Sequence, residues 1–116
     1  MKIKMITKND SKMKIQFNTD KTITGDERNQ NYYISLLEDE LKRFLSHITR
    51  IEVYLSDENQ FKVGKNDFHC LLEARLEGRK PIAVSNQSNT IETAVSGAVD
   101  KLKASLETIL ERMQHH

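Results

Sequence analysis

The sequence predicts an α+β fold: a two-layer sandwich with element order β-α-β-β-β-α, two helices packed on one face of a four-stranded mixed sheet. Three observations predict it. Between Gly64 and Val84, residues Phe68, Cys70, Leu72, Ala74 and Leu76 alternate with mostly polar neighbours. The chain then turns through Gly78 and Pro81 and resumes at Ile82 and Val84, the pattern of a hairpin with one apolar face. Residues Ile51, Val53 and Leu55 alternate in the same way. Two further stretches, one near each end, repeat apolar residues at three- and four-residue steps, the spacing of one helical face. Apolar helix stripes and an apolar sheet face bury each other.

In chain order, MKIKMIT at Met1 is echoed by MKIQFNT at Met13. Ile15 and Phe17 alternate with Gln16 and Asn18 and predict the first strand. Residues 1–12 read as an added strand, a basic arm or an extension ahead of a start at Met13. An arm or extension is the expected form, with Lys2, Lys4, Lys8 and Lys12 as its cations. Thr24, Gly25 and Asp26 signal a helix start, because Gly tolerates the turn and Asp suits the positive helix end. Ile34, Leu37, Leu41, Phe44, Leu45 and Ile48 then predict a helix from about Asp26 to about His47. Tyr32 and Tyr33 suit packing or rim positions better than base stacking.

The second strand, around Ile51–Leu55, is followed by the polar loop SDENQFKVGKND and the hairpin. In the last helix, Asn89 precedes Thr90, Ile91 and Glu92 like an amide variant of a capping box. Ile91, Val95, Ala98, Leu102, Leu106, Ile109 and Met113 keep one face apolar. Gly97 costs that helix about 1 kcal/mol against Ala, and close packing on the sheet is the expected compensation. The domain therefore spans 13–113, with 114–116 as a frayed tail or tag remnant. The sheet face away from the helices carries Glu52, Tyr54, His69, Leu71, Glu73, Arg75 and Ala83 and is expected to be open or partly open.

A chain of 116 residues, 37% apolar and without Trp, supports one domain with an aliphatic core. The net charge of +1 is unevenly spread. Residues 1–22 carry six Lys against two Asp, whereas 26–48 carry three basic and five acidic residues. The single cysteine, Cys70, forms no intramolecular disulfide and reads as a small buried hydrophobe. No apolar run is long enough for a signal peptide or membrane span, so a cytoplasmic protein with no membrane partner is expected.

Chemistry is sparse. There is no Gly-rich phosphate loop and no zinc-ligand set, and His69 and Cys70, adjacent on a strand, face opposite ways. Asp57, Glu58 and Asp67 lack calcium-loop spacing, and nothing marks a nucleophile turn. No enzyme activity, cofactor or metal is expected. What remains is basic: Lys42 and Arg43 late in the first helix, Lys62 and Lys65 in the loop, Arg79 and Lys80 in the hairpin turn, and Lys101 and Lys103 on the last helix. Such residues suit phosphate contacts made through charge and shape; on charge alone they are also an ordinary mixed surface.

Four stretches, MKIQFNTD at 13–20, ITRIEVYLSDEN at 48–59, GKNDFHCLLEARLEGRKPIAV at 64–84 and GAVDKLK at 97–103, together resemble the short ribosome hibernation-promoting factors. That family is also called ribosome-associated inhibitor A or sigma-54 modulation proteins. The resemblance implies a domain built like double-stranded-RNA-binding domains that docks on the small ribosomal subunit. Members sit against 16S rRNA in the cleft between head and body and occlude mRNA and tRNA without chemistry. It implies a short, monomeric factor with Lys101, and Lys103 after it, as its best-matched RNA contacts. It also implies basic residues at positions that here hold Glu40, Ala104 and Thr108, which points to weak ribosome binding, a contact surface shifted to Arg79, Lys80 and the N-terminal lysines, or a lost ribosomal role. The alternative is a protein-interaction module of the same fold, using Tyr54, Leu71 and Ala83 on the open sheet face; a small hydrolase is the third reading.

Overall fold

The computed structural model describes residues 2–6, 14–19, 27–57 and 67–114. Its elements are β1 (Lys2–Ile6), β2 (Lys14–Thr19), α1 (Glu27–Glu40), a single 3-10 turn at Lys42–Phe44, β3 (Ile48–Asp57), β4 (Phe68–Leu76), β5 (Ile82–Ser88) and α2 (Ile91–Gln114). The five strands lie in the order β1-β2-β3-β4-β5. β2 and β3 run parallel, so α1 serves as their crossover, and every other neighbouring pair is antiparallel.

The expected four-stranded mixed sheet with two helices is present as β2–β5 with α1 and α2. The stretch expected as an arm or extension differs in part: Lys2–Ile6 pairs antiparallel with β2, Met5 opposite Ile15 and Lys4 opposite Gln16. The echoed alternation of MKIKMIT and MKIQFNT is the physical reason, since two segments of one period pair in register. The helix-start residues Thr24–Asp26, most of the polar loop and His115–His116 lie outside the described residues.

Alternation decides which side of each strand is buried. Ile15, Phe17, Ile51, Val53, Leu55, Cys70, Leu72 and Ala74 form the sheet half of one core. Ile34, Leu37 and Leu41 of α1 and Ala94, Val95, Ala98, Leu102 and Leu106 of α2 form the other half. Tyr33 joins its edge, 6.5 Å from the Phe17 ring, while Tyr32 is half exposed and meets Tyr33 edge-on. Both tyrosines occupy the packing and rim positions that their spacing suggests.

The first helix is shorter than expected. α1 ends at Glu40, and Phe44 N–H then donates to Leu41 O and His47 N–H to Phe44 O, each at 2.9 Å. This three-residue tightening buries Phe44 fully and aims the chain into β3 at Ile48. An α-helix carried through His47 has no such redirection. Thr49 is the extra residue of a bulge, with Ile48 opposite Leu76 and Arg50 opposite Arg75.

The helix α2 is capped by a different residue than Asn89. Thr90 Oγ1 accepts the Thr93 N–H at 3.1 Å, so Thr90 is the N-cap and Thr93 takes the third helical position. A hydroxyl one residue later satisfies the first-turn donor that the amide was expected to take. Gly97 packs over the Asn86 side chain of β5, whose amide donates to Thr93 O and Ala94 O at 3.3 Å each.

Candidate nucleic-acid interface

The cations expected to contact RNA fall into two groups, and three of them carry a local partner. Arg43, in the 3-10 turn, stacks over the Phe44 ring at 5.0 Å and pairs with Glu107 of α2 at 3.1 Å. Lys103 pairs with Glu40 at 3.0 Å. Lys101 Nζ donates to Ser85 O on the outer edge of β5 at 2.7 Å. Lys42, Arg79 and Lys80 are exposed and have no ion-pair partner among the described residues; Gly78, at φ +72°, supplies the left-handed turn that presents the last two. Lys62 and Lys65 lie outside the described residues.

Topology brings several of these to one end of the domain. The 3-10 turn enters β3 there, β4 leaves through the Arg79–Lys80 turn, and α2 returns with its C-terminal part. Arg79 lines a small cleft with Phe44, His47, Leu106 and Met113. Lys101 and Lys103 lie farther along α2, on the helical layer. That layer is not basic: α1, the 3-10 turn and α2 together hold six basic and eight acidic residues, a net charge of −2. The strands hold five basic and three acidic residues, +2.

Sequence reasoning missed one group of cations. On the sheet face away from the helices, Lys14 lies opposite Arg50 and Arg50 opposite Arg75, so three cations stand abreast on adjacent strands. Their row is at the end of the sheet that carries the Arg79–Lys80 turn. Strand alternation places each on the polar side, but the juxtaposition depends on a parallel register and on the bulge at Thr49. Neither is written in local sequence.

The next row inward is a polar network. Glu52, 6% exposed, accepts the Tyr54 hydroxyl at 2.9 Å and lies 3.5 Å from Arg50 Nη2. Gln16, equally buried, accepts from Arg50 at 2.8 Å and donates toward Glu52 at 3.5 Å. A buried carboxylate is thereby compensated by a guanidinium, a phenol and an amide. The hydrogen bond to Glu52 raises the Tyr54 pKa above its ordinary value, with burial adding to it. Arg75 is held 3.5 Å from Glu73. Beyond this row, Asn18, Tyr54 and Leu71 lie abreast, and Tyr54 is the exposed large ring of the described face.

On the opposite side of β4, burial pushes the Cys70 thiol up to about 12. Among the described residues no three His, Cys, Asp or Glu side chains gather as a metal site, and no helix is long and apolar enough to cross a membrane.

The family described as sigma 54 modulation protein / S30EA ribosomal protein matches residues 17–114, from Phe17, the fourth residue of β2, to the end of α2. The chain belongs to this family. Solved structures agree on the fold. The N-terminal domain of Protein Y from Thermus thermophilus superposes with a TM-score of 0.65 at 15% identity, covering 80% of this chain and 94% of that one. A ribosomal subunit interface protein from Coxiella burnetii gives 0.63 at 18%, covering 84% and 97%. No curated protein matches the chain. Glu40 stands where the resemblance implies a cation and instead holds Lys103. At the other two such positions, Thr108 Oγ1 donates to the Ala104 carbonyl at 3.1 Å, a contact within the helix and not with a partner.

Proposed function

We propose that this protein binds the small ribosomal subunit as a monomer, against 16S rRNA in the cleft between head and body, and silences translation by occluding the mRNA and tRNA positions. Membership of a ribosome-associated family carries the reading, and a ribosomal partner makes the protein cytoplasmic. The cations at one end of the domain supply the contact. Lys42, Arg79 and Lys80 meet phosphate directly. Arg43 and Lys103 exchange their present carboxylates for it, because ion pairs at the surface are worth only about 0–1 kcal/mol, and Lys101, farther along α2, exchanges the Ser85 carbonyl. Binding of this kind needs no bond-making group, only charge, shape and bulk.

The test is co-sedimentation with isolated small subunits across a salt series. Binding that weakens steeply with salt is expected, as is a salt dependence reduced by about two contacts in an Arg79→Glu, Lys80→Glu variant. No binding at low salt overturns the reading.

A further inference from the structure

We infer that the open sheet face is a second RNA contact, and that its occupant is a single-stranded segment of rRNA lying across β2, β3 and β4. Phosphates meet the Lys14–Arg50–Arg75 row, and a base stacks on Tyr54 beside Leu71. The inference rests on the ribosomal reading for the source of the RNA; the chemistry of the face stands by itself.

Charge comes first. On the open face Lys14, Arg50 and Arg75 outnumber Glu52 and Glu73, whereas the helical layer is net negative, so an anionic partner gains more on the sheet side. The three cations are also abreast, spanning two inter-strand spacings, about 10 Å. Lys14 is exposed, and the Arg75 side chain is 53% exposed. Arg50 is only partly accessible but is oriented by Gln16 and Glu52, so little ordering is left for phosphate to impose.

The aromatic comes second. Tyr54 lies four residues beyond Arg50 on the same strand, about 13 Å away in an extended chain. Its hydroxyl is anchored by Glu52, which holds the side chain while leaving the residue 39% exposed. Leu71 is its directly paired neighbour on β4. An aromatic and an aliphatic side chain set beyond a cation row suit splayed bases. A duplex keeps its base faces stacked inside and has nothing to place on a tyrosine. An acidic peptide uses the cations but leaves the ring without a partner, and Glu52 and Glu73 repel its side chains as much as they repel a phosphate.

Two probes test this on the full-length protein: a short labelled oligouridylate, and small subunits stripped of mRNA. Tyr54→Ala is expected to weaken oligouridylate binding about tenfold or more, in line with one lost stacked base. Tyr54→Phe keeps the ring and is expected to bind like the parent. Lys14→Glu with Arg75→Glu should lower the log–log salt slope by about two, and both disruptive variants should bind subunits more weakly. Amide chemical shifts in the unmodified protein, titrated with oligouridylate, should move on β2, β3 and β4 and not on the helices, a readout that does not depend on any variant folding. Oligouridylate affinity unchanged in both variants overturns the inference. So does tighter binding of polyglutamate than of oligouridylate. Lost oligouridylate binding with unchanged subunit binding overturns rRNA as the occupant. If the parent protein binds oligouridylate through this face but ignores small subunits, the ribosomal reading and the rRNA source fail while the RNA face remains.

Discussion

Gly97 offers the sharpest test of how α2 sits on the sheet. A Cβ built there falls 2.7 Å from Asn86 Cγ and 3.1 Å from Oδ1, and closer still to Nδ2. Ordinary contact begins near 3.4 Å, so Gly97→Ala forces the amide aside and breaks its two bonds to Thr93 O and Ala94 O. Overpacking costs about 1–3 kcal/mol and the lost hydrogen bonds about 1 kcal/mol. The better helix propensity of Ala returns about 1 kcal/mol. The net expectation is a loss of about 1–3 kcal/mol.

In an Asn86→Ala background the obstacle is gone and only the propensity gain is left, so the same substitution should stabilise by about 0.5–1 kcal/mol. The sign reverses. A double-mutant cycle by urea unfolding measures it, with all four proteins sharing one m-value. A coupling of about 1.5–4 kcal/mol is expected, visible also as a reversed shift of several degrees in Tm. Equal destabilisation by Gly97→Ala in both backgrounds refutes the packing argument, and stabilisation in the unmodified protein refutes it more directly.

Cys70 makes stability fall at alkaline pH. Its ordinary pKa is near 9, and in the folded core it is raised to about 12. Between those values the unfolded chain has released the thiol proton while the folded chain keeps it. Stability is therefore whole below about pH 9 and falls by about 1.4 kcal/mol per unit above it. Cys70→Ala should remove that component of the slope in unfolding curves measured from pH 8 to 11, and parallel curves for the two proteins refute it. Glu40→Gln with Glu107→Gln frees Lys103 and Arg43 and takes the helical layer from −2 to neutral. Unfolding free energy should change by no more than about 1–2 kcal/mol, whereas affinity for small subunits at low salt should rise severalfold; unchanged affinity shows that these cations do not reach RNA.

The fold was legible because its signals are local. Alternation from Phe68 to Leu76 and the four-three stepping from Ile91 to Met113 each identify an element and its buried side without reference to the rest of the chain. What was illegible depends on partners far away in sequence. The first helix stops at Glu40 because Phe44 and Ile48 must enter a core whose other half comes from strands as distant in sequence as Ile15 and Leu76. The apolar spacing from Ile34 to Ile48 cannot distinguish one helix from a helix and a tight turn. Likewise Thr90 outcompetes Asn89 as the cap by one residue of phase, a difference that backbone geometry decides and composition does not.

The candidate site shows the same division more severely. Basic residues can be read from a sequence, but their availability cannot. Lys103 and Arg43 each carry the charge expected of an RNA contact, and each is met by a carboxylate 63 or 64 positions away. Lys14, Arg50 and Arg75 stand on three different strands and become a row only through two registers and a bulge. A surface that binds phosphate is set by the charge remaining after such pairings, not by the number of cations on an element. By that measure the helices, net negative and internally paired, are the weaker electrostatic partner, and Lys14, Arg79 and Lys80, which have no carboxylate partner among the described residues, are the stronger, with Arg50 and Arg75 sharing their charge with Glu52 and Glu73. Under the proposed docking in an rRNA cleft, both layers would meet RNA, so moving charge from helices to sheet would change which wall of the cleft grips the domain without changing what the domain blocks.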